Sequence, residues 1–488
     1  MSQPDRETPI SSEEPTKQLG RCAIDLSGNL LDRLPAESRS VIQRLATVFA
    51  AANEQLYLVG GSVRDLLLGR EVHDLDLTTS AEPAVTKALG QAAGAESVYT
   101  IGEEFGTVGF VFDGTTVEIT TYREEQYLER DRHPRVRLGV DLDGDLSRRD
   151  FTINAIAVDA GSGRMHDPFN GAGDLAAGII RAVGDPAARF REDPLRTLRA
   201  VRFAAQLGFA IEPGTLSAMA GMAPELAWIS QERIATELNK LLVAPEAAKG
   251  LSLVHEAEML PFVLPELLSI AEDPGEGRHK DIWAHTLLVA EQSPPRLAVR
   301  WAALLHDAAK PVTRSVDEMG EVHFFGHERL GANLARKALR RLKQERALIE
   351  RVAGLVDLHL RPAGYDESWT DSAVRRLMVE AGDLLDDLLD LVAADVTSAR
   401  ADRRQAAALR MQGLRDHIAR LEAEYALDQL QSPLDGNELM EIFNRPPGRW
   451  IGDVKSHLRE LVIDGELRPG DKETALVEAR RFLAEHEI

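Results

Sequence analysis

The segment LVGGSVRDLLLG, from Leu58 to Gly69, and the Asp74-Leu-Asp76 triplet just after it constrain this chain most. Two adjacent glycines open onto an amphipathic stretch, so the backbone N–H groups of Gly60 and Gly61 can approach a phosphate at a helix N-terminus. Residues two apart on an extended strand point to the same face, so Asp74 and Asp76 can share divalent metal ions. Magnesium prefers oxygen ligands and often completes its shell with substrate phosphates. The combination therefore predicts phosphoryl or nucleotidyl transfer by two metal ions.

The composition is that of a globular, multidomain protein. A length of 488 residues is enough for about three domains, each with its own core. The single cysteine, Cys22, excludes an internal disulfide and a cysteine-rich zinc site, and it favours a reducing cytoplasm. We expect neither an apolar leader nor a membrane span, and therefore a cytoplasmic protein.

The formal net charge of -22, taken alone, argues against nucleic-acid binding. Phosphate contacts are local, however, and basic residues cluster between 196 and 202 and again between 336 and 346. We therefore expect any RNA complex to be modest in electrostatic strength and sensitive to salt.

The patterns along the chain change twice. Residues 1–35 are predicted to be a disordered tail, because the first 30 are rich in Ser, Glu, Pro and Gln. Helical and strand patterns mix up to about residue 178, with a hairpin expected at Asp113-Gly114. Beyond 180 the pattern is almost entirely helical, with Pro/Gly-rich breaks at 273–277 and 361–364.

Two further motifs accompany the glycine pair and the two aspartates. With SRRDFTINAIA at 147–157 and EDPLRTLRAVRFAAQLGF at 192–209, the chain closely resembles the class II tRNA nucleotidyltransferases. These are the bacterial CCA-adding enzymes, close relatives of bacterial poly(A) polymerases within the polymerase β-like superfamily. That resemblance covers about residues 36–270, and a second one, to the HD metal-dependent phosphohydrolases, covers about 280–400.

The resemblance implies an α+β fold in which a mixed-sheet nucleotidyltransferase head precedes a long all-α body. We expect the head at 36–178, a helical neck with the base-recognition motif at 179–275, the HD domain at 276–404 and a tRNA-binding body at 405–488. The implied substrates are tRNA, CTP and ATP, and the implied cofactor of the head is a pair of Mg²⁺ ions.

The resemblance also assigns roles to individual residues. Asp74 and Asp76 hold the metals, and four residues contact the triphosphate: Gly60, Gly61, Ser62 and Arg64. The family pattern places a second set around the ribose and phosphates of the nucleotide: Arg148, Arg149, Asp150 and Asn154. Arginine suits this role because its planar fork of donors matches phosphate oxygens.

Glu118 is a candidate third carboxylate of the metal site. It lies in the strand pattern VEITTYR, flanked by apolar residues. By superfamily analogy, a carboxylate on a neighbouring strand would complete a two-metal site, whereas a solvent-facing strand residue is an equally good interpretation.

Base choice is predicted from the helix that follows Asp193. Steps of three place Asp193, Arg196 and Arg199 along one face, with Arg202 further on, and Pro194 fits the first turn after an Asp193 cap. Cytosine and adenine both present an exocyclic amine donor beside a ring-nitrogen acceptor, to which Asp193 and Arg196 are complementary. Uracil and guanine reverse both polarities. A helix cap followed by solvated arginines is the alternative.

CCA addition and poly(A) synthesis are close alternatives for such a chain. Bacterial poly(A) polymerases usually carry a basic stretch after the metal-binding strand, whereas Ile101–Thr107 is acidic here. An enzyme that slides on unstructured poly(A) needs an electrostatic groove, while one that grips a folded acceptor stem can use A-form shape. CCA addition is favoured. Poly(A) synthesis, or an HD phosphohydrolase with a nucleotide-binding head, remains the alternative.

The helical half contains residues in the order H…HD…H…H…D that is typical of HD phosphohydrolases. The predicted metal ligands are His285, His306, Asp307, His327, His359 and Asp395. Imidazole and carboxylate ligands suit Mg²⁺ or a divalent transition metal, which would activate water against a phosphate ester.

Overall fold

The computed structural model describes residues 28–72, 74–99, 106–126, 135–272, 281–397, 400–424 and 430–486. The chain divides into two compact units, residues 1–222 and 223–488. The finer division into five segments stays a prediction. No helix among the described residues is long and apolar enough to cross a lipid bilayer.

The first unit is built on a seven-stranded mixed sheet. The strands of this unit are β1 (Leu56–Val59), β2 (Leu75–Thr79), β3 (Ser97–Tyr99), β4 (Thr107–Phe112), β5 (Thr115–Thr121), β6 (Arg123–Gln126), β7 (Arg135–Leu138), β8 (Ala157–Asp159), β9 (Met165–His166), β10 (Ile179–Ile180) and β11 (Ala210–Ile211). Strands β6 and β7 form one separate two-stranded sheet, and β10 and β11 form another. The strand order in the main sheet is β3-β4-β5-β2-β1-β8-β9, and only β2 and β5 run parallel. The predicted hairpin at Asp113-Gly114 is confirmed, since β4 and β5 pair antiparallel across it and both residues have positive φ.

The helices of this unit are α1 (Ala36–Ala51), α2 (Gly61–Leu67), α3 (Pro83–Ala92), α4 (Leu142–Ser147), α5 (Gly171–Ala177), α6 (Pro186–Glu192), α7 (Leu195–Leu207) and α8 (Pro213–Met222). Helix α3 packs closely on β4, because Gly90 leaves room for the ring of Phe110. Helix α1 buries Val41, Ile42 and Leu45, whose spacing gives one apolar stripe.

The disordered tail predicted for residues 1–35 extends too far along the chain. Leu30–Arg33 form a 3₁₀ helix, and Leu30, Leu31 and Leu34 are buried. Three leucines in five residues supply enough apolar surface to order this short segment, which the polar composition of residues 1–30 obscured.

In the described parts of the second unit, the regular elements are helices and the short pair β12 (Ser315–Val316) and β13 (Val322–His323). Its helices are α9 (Gln231–Leu242), α10 (Ala247–Glu256), α11 (Leu260–Val263), α12 (Leu268–Ala271), α13 (Ile282–Gln292), α14 (Leu297–Leu305), α15 (Lys310–Thr313), α16 (His327–Arg341), α17 (Arg346–Leu358), α18 (Leu360–Ala363), α19 (Asp371–Ala381), α20 (Leu385–Ala394), α21 (Ala401–Glu424), α22 (Gly436–Phe443), α23 (Arg449–Asp464) and α24 (Lys472–Glu485).

Helix α14 is the central element of the HD region. Every residue from Ala298 to Leu305 is buried, and α13, α17 and α20 pack around it. A helix as apolar as this one, in which Arg300 is the single charged residue, is stable only in such a core. Farther along the chain, α22, α23 and α24 share a separate apolar cluster that includes Leu439, Trp450 and Leu458. The predicted architecture, a mixed-sheet head followed by a helical body, is confirmed.

Candidate active sites

The three candidate carboxylates of the head lie on two adjacent strands. Asp74 immediately precedes β2, Asp76 lies within it, and Glu118 lies on β5. The parallel register makes Glu118 the direct Cα partner of Asp76. Since residues paired in this way point to the same face of a sheet, Asp74, Asp76 and Glu118 share one face.

This carboxylate face carries concentrated negative charge. Burial raises the pKa of the Asp76 carboxyl to about 6, and Glu118 and Asp74 add to the increase, whereas Arg149 and Arg64 oppose it. A divalent cation would supply the compensating charge, and oxygen ligands on one face suit it. The donor set therefore fits a metal site.

The glycine turn brings an arginine close to the carboxylate face. Gly60 has φ 68° and ψ -134°, a conformation that L side chains rarely adopt. A Cβ atom added to Gly60 would lie 2.9 Å from Nη1 of Arg149 and 3.9 Å from Oδ2 of Asp76. Glycine is thus required both by the backbone and by the close approach of the guanidinium. Gly61, the first residue of α2, lies beside Arg64.

Ser62 links strand β2 to helix α2. Its buried hydroxyl donates to the carbonyl of Asp74 at 2.8 Å and accepts from the N–H of Asp76 at 3.0 Å. The hydroxyl proton of Ser62 is therefore already donated to a backbone carbonyl. Ser62 fixes the backbone on either side of Leu75, and a contact with triphosphate stays a prediction.

One chain of polar contacts links the three motifs found in the sequence. Arg64 pairs with Asp65 at 2.9 Å and donates to Oδ1 of Asn154 at 2.9 Å. Asn154 donates to Asp150 at 3.0 Å, and Asp150 accepts two N–H groups of Arg199 at 2.8 and 2.6 Å. The glycine-turn, RRD and EDPLR motifs thus meet in a single network.

Asp150 is the central anion of that network. Burial alone would raise its pKa, but Arg199 and the hydrogen bond from Asn154 lower the pKa of the Asp150 carboxyl to about 2. Phe203 lies beneath the same arginines, since its ring centroid is 5.1 Å from Cζ of Arg64 and 5.5 Å from that of Arg199. These contacts hold the arginines in place.

Sequence reasoning missed a second buried anion, Asp145. Its carboxylate contacts Arg148 at 2.8 Å and Arg149 at 3.3 Å, and these cations lower the pKa of this fully buried carboxyl. The i,i+3 and i,i+4 spacing at the end of α4 was the available signal. Because Asp145 restrains Arg149, it orients the guanidinium that lies against Gly60.

The predicted base-recognition residues Asp193 and Arg196 also contact other residues of the protein. The N-cap of α7 is Pro194 rather than the expected Asp193, which ends α6 and whose carboxylate accepts from the N–H of Leu195 at 3.1 Å. Arg196 donates to Glu192 at 2.9 Å and to the carbonyl of Arg148 at 3.0 Å. Glu192, which sequence reasoning gave no role, thus restrains Arg196. Base recognition by Asp193 and Arg196 stays a prediction.

Arg202 lies farther along the same helix. It stacks on Phe203 at 4.0 Å and donates to Gln206 at 2.9 Å. Most of the segment Ile101–Thr107, used above to separate CCA addition from poly(A) synthesis, lies outside the described residues.

In the second unit, the structure brings together all six residues of the HD pattern. They form two groups, each with candidate ligand atoms within 4.8 Å of one another: His285, His306 and Asp395 in the first, and Asp307, His327 and His359 in the second. Nε2 of His306 lies 3.3 Å from Oδ2 of Asp307, so the two groups adjoin.

The histidines are oriented for metal binding through Nε2. Nδ1 of His306, His327 and His359 each lies 2.6–2.8 Å from the carbonyl oxygen of the residue three positions earlier. Nδ1 therefore donates, and Nε2 is left as the ligand atom. Nε2 of His306 and of His327 and Oδ1 of Asp307 are buried without a hydrogen-bond partner among the described residues. Buried polar atoms that lack partners fit a site built for cations.

The charges of the HD site favour a cation as well. Burial disfavours a charged imidazole, yet Asp307 and Asp395 raise the pKa of His306 to about 10. Burial and the neighbouring His306 lower the pKa of His359 to about 4. Two residues without an assigned role support the site: Thr397 bonds Nδ1 of His285 at 2.7 Å, and Lys310 pairs with Asp307 at 2.6 Å.

Family models match the regions of the chain that contain both candidate sites. The family described as Poly A polymerase head domain matches residues 56–181, the probable RNA- and SrmB-binding site of polymerase A matches 208–270, and the HD domain matches 269–400. The chain is 34% identical over 446 residues to an A-adding tRNA nucleotidyltransferase of Deinococcus radiodurans, covering 86% of this chain and 94% of that protein. The chain belongs to the tRNA nucleotidyltransferase family.

Two further relatives of this tRNA nucleotidyltransferase are CCA-adding enzymes. That of Geobacillus sp. (strain WCH70) is 33% identical over 419 residues, covering 85% of this chain and 90% of the relative. The solved CCA-adding enzyme of Bacillus stearothermophilus in complex with CTP is 29% identical, with a TM-score of 0.70 over 93% of this chain and 98% of that one. The family resemblance stated from the motifs is confirmed.

Proposed function

We propose that the chain adds C and A nucleotides to the 3′ end of tRNA, without a nucleic-acid template, using CTP and ATP. The observation that carries this proposal is the carboxylate face, where Asp76 and Glu118 are register partners and the Gly60 turn with Arg149 lies beside them. Carboxylates next to a cationic phosphate cradle are what nucleotidyl transfer requires. We place the enzyme in the cytoplasm, in keeping with its single cysteine.

Asp74 and Asp76, with Glu118, would hold two Mg²⁺ ions. Those ions would lower the pKa of the RNA 3′-hydroxyl and neutralise charge on the α-phosphate and the leaving pyrophosphate. Arg149 would bind the triphosphate, since Asp145 holds its guanidinium against the glycine turn. Arg64 would assist from the network that also contains Asn154.

Selection of C and A would depend on Asp193 and Arg196. Asp193 would accept from the exocyclic amine of either base, and Arg196 would donate to the adjacent ring nitrogen. The contacts of Arg196 with Glu192 and the Arg148 carbonyl support this role, because they fix the orientation of a guanidinium that would otherwise sample many rotamers.

Addition of A alone is the second candidate for the head. It is favoured by the Deinococcus radiodurans relative, an A-adding tRNA nucleotidyltransferase that the alignment covers almost completely. The experiment that separates the candidates uses purified protein and tRNAs that end before the first C, after the second C, or at the final A. CTP and ATP are supplied separately and together.

CCA addition gives two C and one A on the shortest tRNA. An A-adding enzyme extends only the tRNA that already ends in two C, and a poly(A) polymerase adds many A to unstructured RNA and ignores CTP. Asp76→Asn tests the proposed metal site, since it keeps the shape of the side chain and removes the charge that would bind the metal. Incorporation that is unchanged by Asp76→Asn would refute the proposed metal site.

For the HD region we infer a metal-dependent phosphohydrolase that would use Mg²⁺ or a divalent transition metal. The convergence of two three-residue ligand groups, with buried unpartnered ligand atoms, supports this inference. A water activated by two metals would attack a phosphate ester, such as a cyclic or terminal phosphate that blocks a tRNA 3′ end. Hydrolysis of a nucleoside 2′,3′-cyclic phosphate in the presence of several divalent metals tests this activity.

A further inference from the structure

Tyr99 belongs to the carboxylate face although it lies three strands away from Asp76. In the register of the sheet, Tyr99 is the Cα partner of Gly109, Gly109 is the partner of Glu118, and Glu118 is the partner of Asp76. Direct partners point to the same face of a sheet, so these four positions form one row across β3, β4, β5 and β2.

Gly109 is the reason that Tyr99 reaches the carboxylates. A Cβ atom at Gly109 would lie 2.1 Å from Cε2 and 2.2 Å from Cζ of the Tyr99 ring. The ring therefore lies over the backbone of β4, in the space that any other residue would fill. Cζ carries the hydroxyl, so the phenol extends across Gly109 toward Glu118.

The hydroxyl of Tyr99 is available to a ligand. Within the part of the chain that the structure describes, it makes no hydrogen bond, and the side chain is only partly buried. Besides burial, the charges of Glu118 and Asp74 raise the pKa of the Tyr99 phenol, which places the group within electrostatic reach of both carboxylates. A phenol hydroxyl can donate a hydrogen bond.

The order of the strands indicates which substrate this donor would meet. Gly60 follows β1, on one side of β2, while Glu118 and Tyr99 lie on the other side of β2. In an in-line displacement, the attacking hydroxyl and the leaving pyrophosphate lie on opposite sides of the α-phosphorus. If the triphosphate occupies the side of Gly60 and Arg149, then the RNA 3′ end approaches from the side of Glu118.

We propose that Tyr99 contacts the 3′-terminal nucleotide of the RNA acceptor, with its hydroxyl donating to that nucleotide and its ring forming part of the surface on which the nucleotide rests. The inference rests on the proposed function of the head. It adds a substrate-contacting residue from an outer strand, which no motif in the sequence indicates.

The test compares full-length wild type with Tyr99→Phe, Tyr99→Ala and Gly109→Ala, and measures separate KM values for a tRNA lacking its 3′ end and for CTP. Loss of one hydrogen bond in Tyr99→Phe should raise the KM for tRNA about two- to tenfold. Loss of the ring as well in Tyr99→Ala should raise it further, to about five- to hundredfold. The KM for CTP should stay within about twofold, since the nucleotide is bound on the opposite side of β2.

Gly109→Ala displaces the ring without changing Tyr99, so it should reproduce the direction of the Tyr99→Ala effect. Tyr57→Phe is the matched control, because it removes a phenol from the same sheet face at a position that pairs with Thr78 and Asp159 rather than with Glu118 or Asp76. An increase in the KM for CTP alone would show that Tyr99 contacts the nucleotide instead. Unchanged KM values for tRNA in Tyr99→Phe and Gly109→Ala would overturn the inference. A wild type that extends no RNA would refute the proposed function itself.

Discussion

Replacement of Asp150 by Asn tests the network that joins the three motifs. Asp150 is buried and accepts from Arg199, Asn154 and the N–H of Phe151. Its pKa is about 2 in the folded protein, against an ordinary value of 3.8. One pKa unit corresponds to about 1.4 kcal/mol, so the ionised carboxylate contributes on the order of 2 kcal/mol of stability at neutral pH.

The sign of the pH dependence follows from the direction of this shift. Because the pKa of Asp150 is lower in the folded than in the unfolded chain, its contribution is fully present above the unfolded value of 3.8. It is lost as the pH falls through the folded value of about 2. The stability difference between wild type and Asp150→Asn should therefore be constant from about pH 5 upward and fall to about half at pH 3.

Hydrogen exchange of the full-length protein measures this difference locally. Peptides that cover α7 and the 3₁₀ turn Thr152–Asn154 should exchange roughly 30-fold faster in Asp150→Asn at pH 7, while peptides from α22 to α24 serve as the internal reference. Asp113→Asn is the matched control, because its ion pair with Arg44 is exposed and contributes little. Equal exchange rates in wild type and Asp150→Asn would refute the assignment of Asp150 as the central anion.

Three further variants test separate features of the molecule. Gly60→Ala should reduce nucleotide incorporation and lower the free energy of unfolding by about 1–3 kcal/mol, because the positive φ strains any L side chain and the new Cβ would lie 2.9 Å from Arg149. The incorporation rate and the thermal melting temperature measure these two effects. Asp193→Ala should shrink the preference for CTP over UTP by about 1–3 kcal/mol, whereas a residue that is only a cap would lose about 1 kcal/mol of stability and leave the CTP/UTP ratio unchanged. His306→Ala combined with Asp307→Ala should abolish hydrolysis of a 2′,3′-cyclic phosphate and leave CTP incorporation intact, since the two sites use different ligands; a parallel loss of incorporation would contradict separate sites.

Several features followed from local sequence pattern. The spacing of Asp74 and Asp76 places both on one face of any strand, whatever that strand pairs with. The Asp113-Gly114 turn predicted the β4–β5 hairpin, because few residues other than Gly, Asn and Asp adopt positive φ. The predicted tail was wrong from Leu30 onward, because the polar composition of the whole segment concealed a short cluster of buried leucines.

Other features depended on contacts between distant segments. The sequence left Glu118 open as a metal ligand or a solvent-facing residue; only the register shows that it shares a face with Asp76, where its side chain is exposed, and its role as a ligand stays a prediction. Ser62 was expected at the triphosphate, yet its hydroxyl joins the backbone on both sides of Leu75. Asp145 is recognisable as an anchor only once its burial is known, since an acidic residue before two arginines is common on a surface.

The candidate groups of both sites are visible in local sequence pattern: carboxylates two apart beside a glycine turn, and histidines and aspartates in the HD order. These are properties of residue type and backbone periodicity, which require no knowledge of distant segments. Contacts between distant segments are visible only in the tertiary structure. Examples are the contact of Arg199 with Asp150, the two candidate ligand groups of the HD region, and the row from Tyr99 to Asp76. Strand register and helix packing set those distances, and they depend on how the whole apolar surface of each unit is buried.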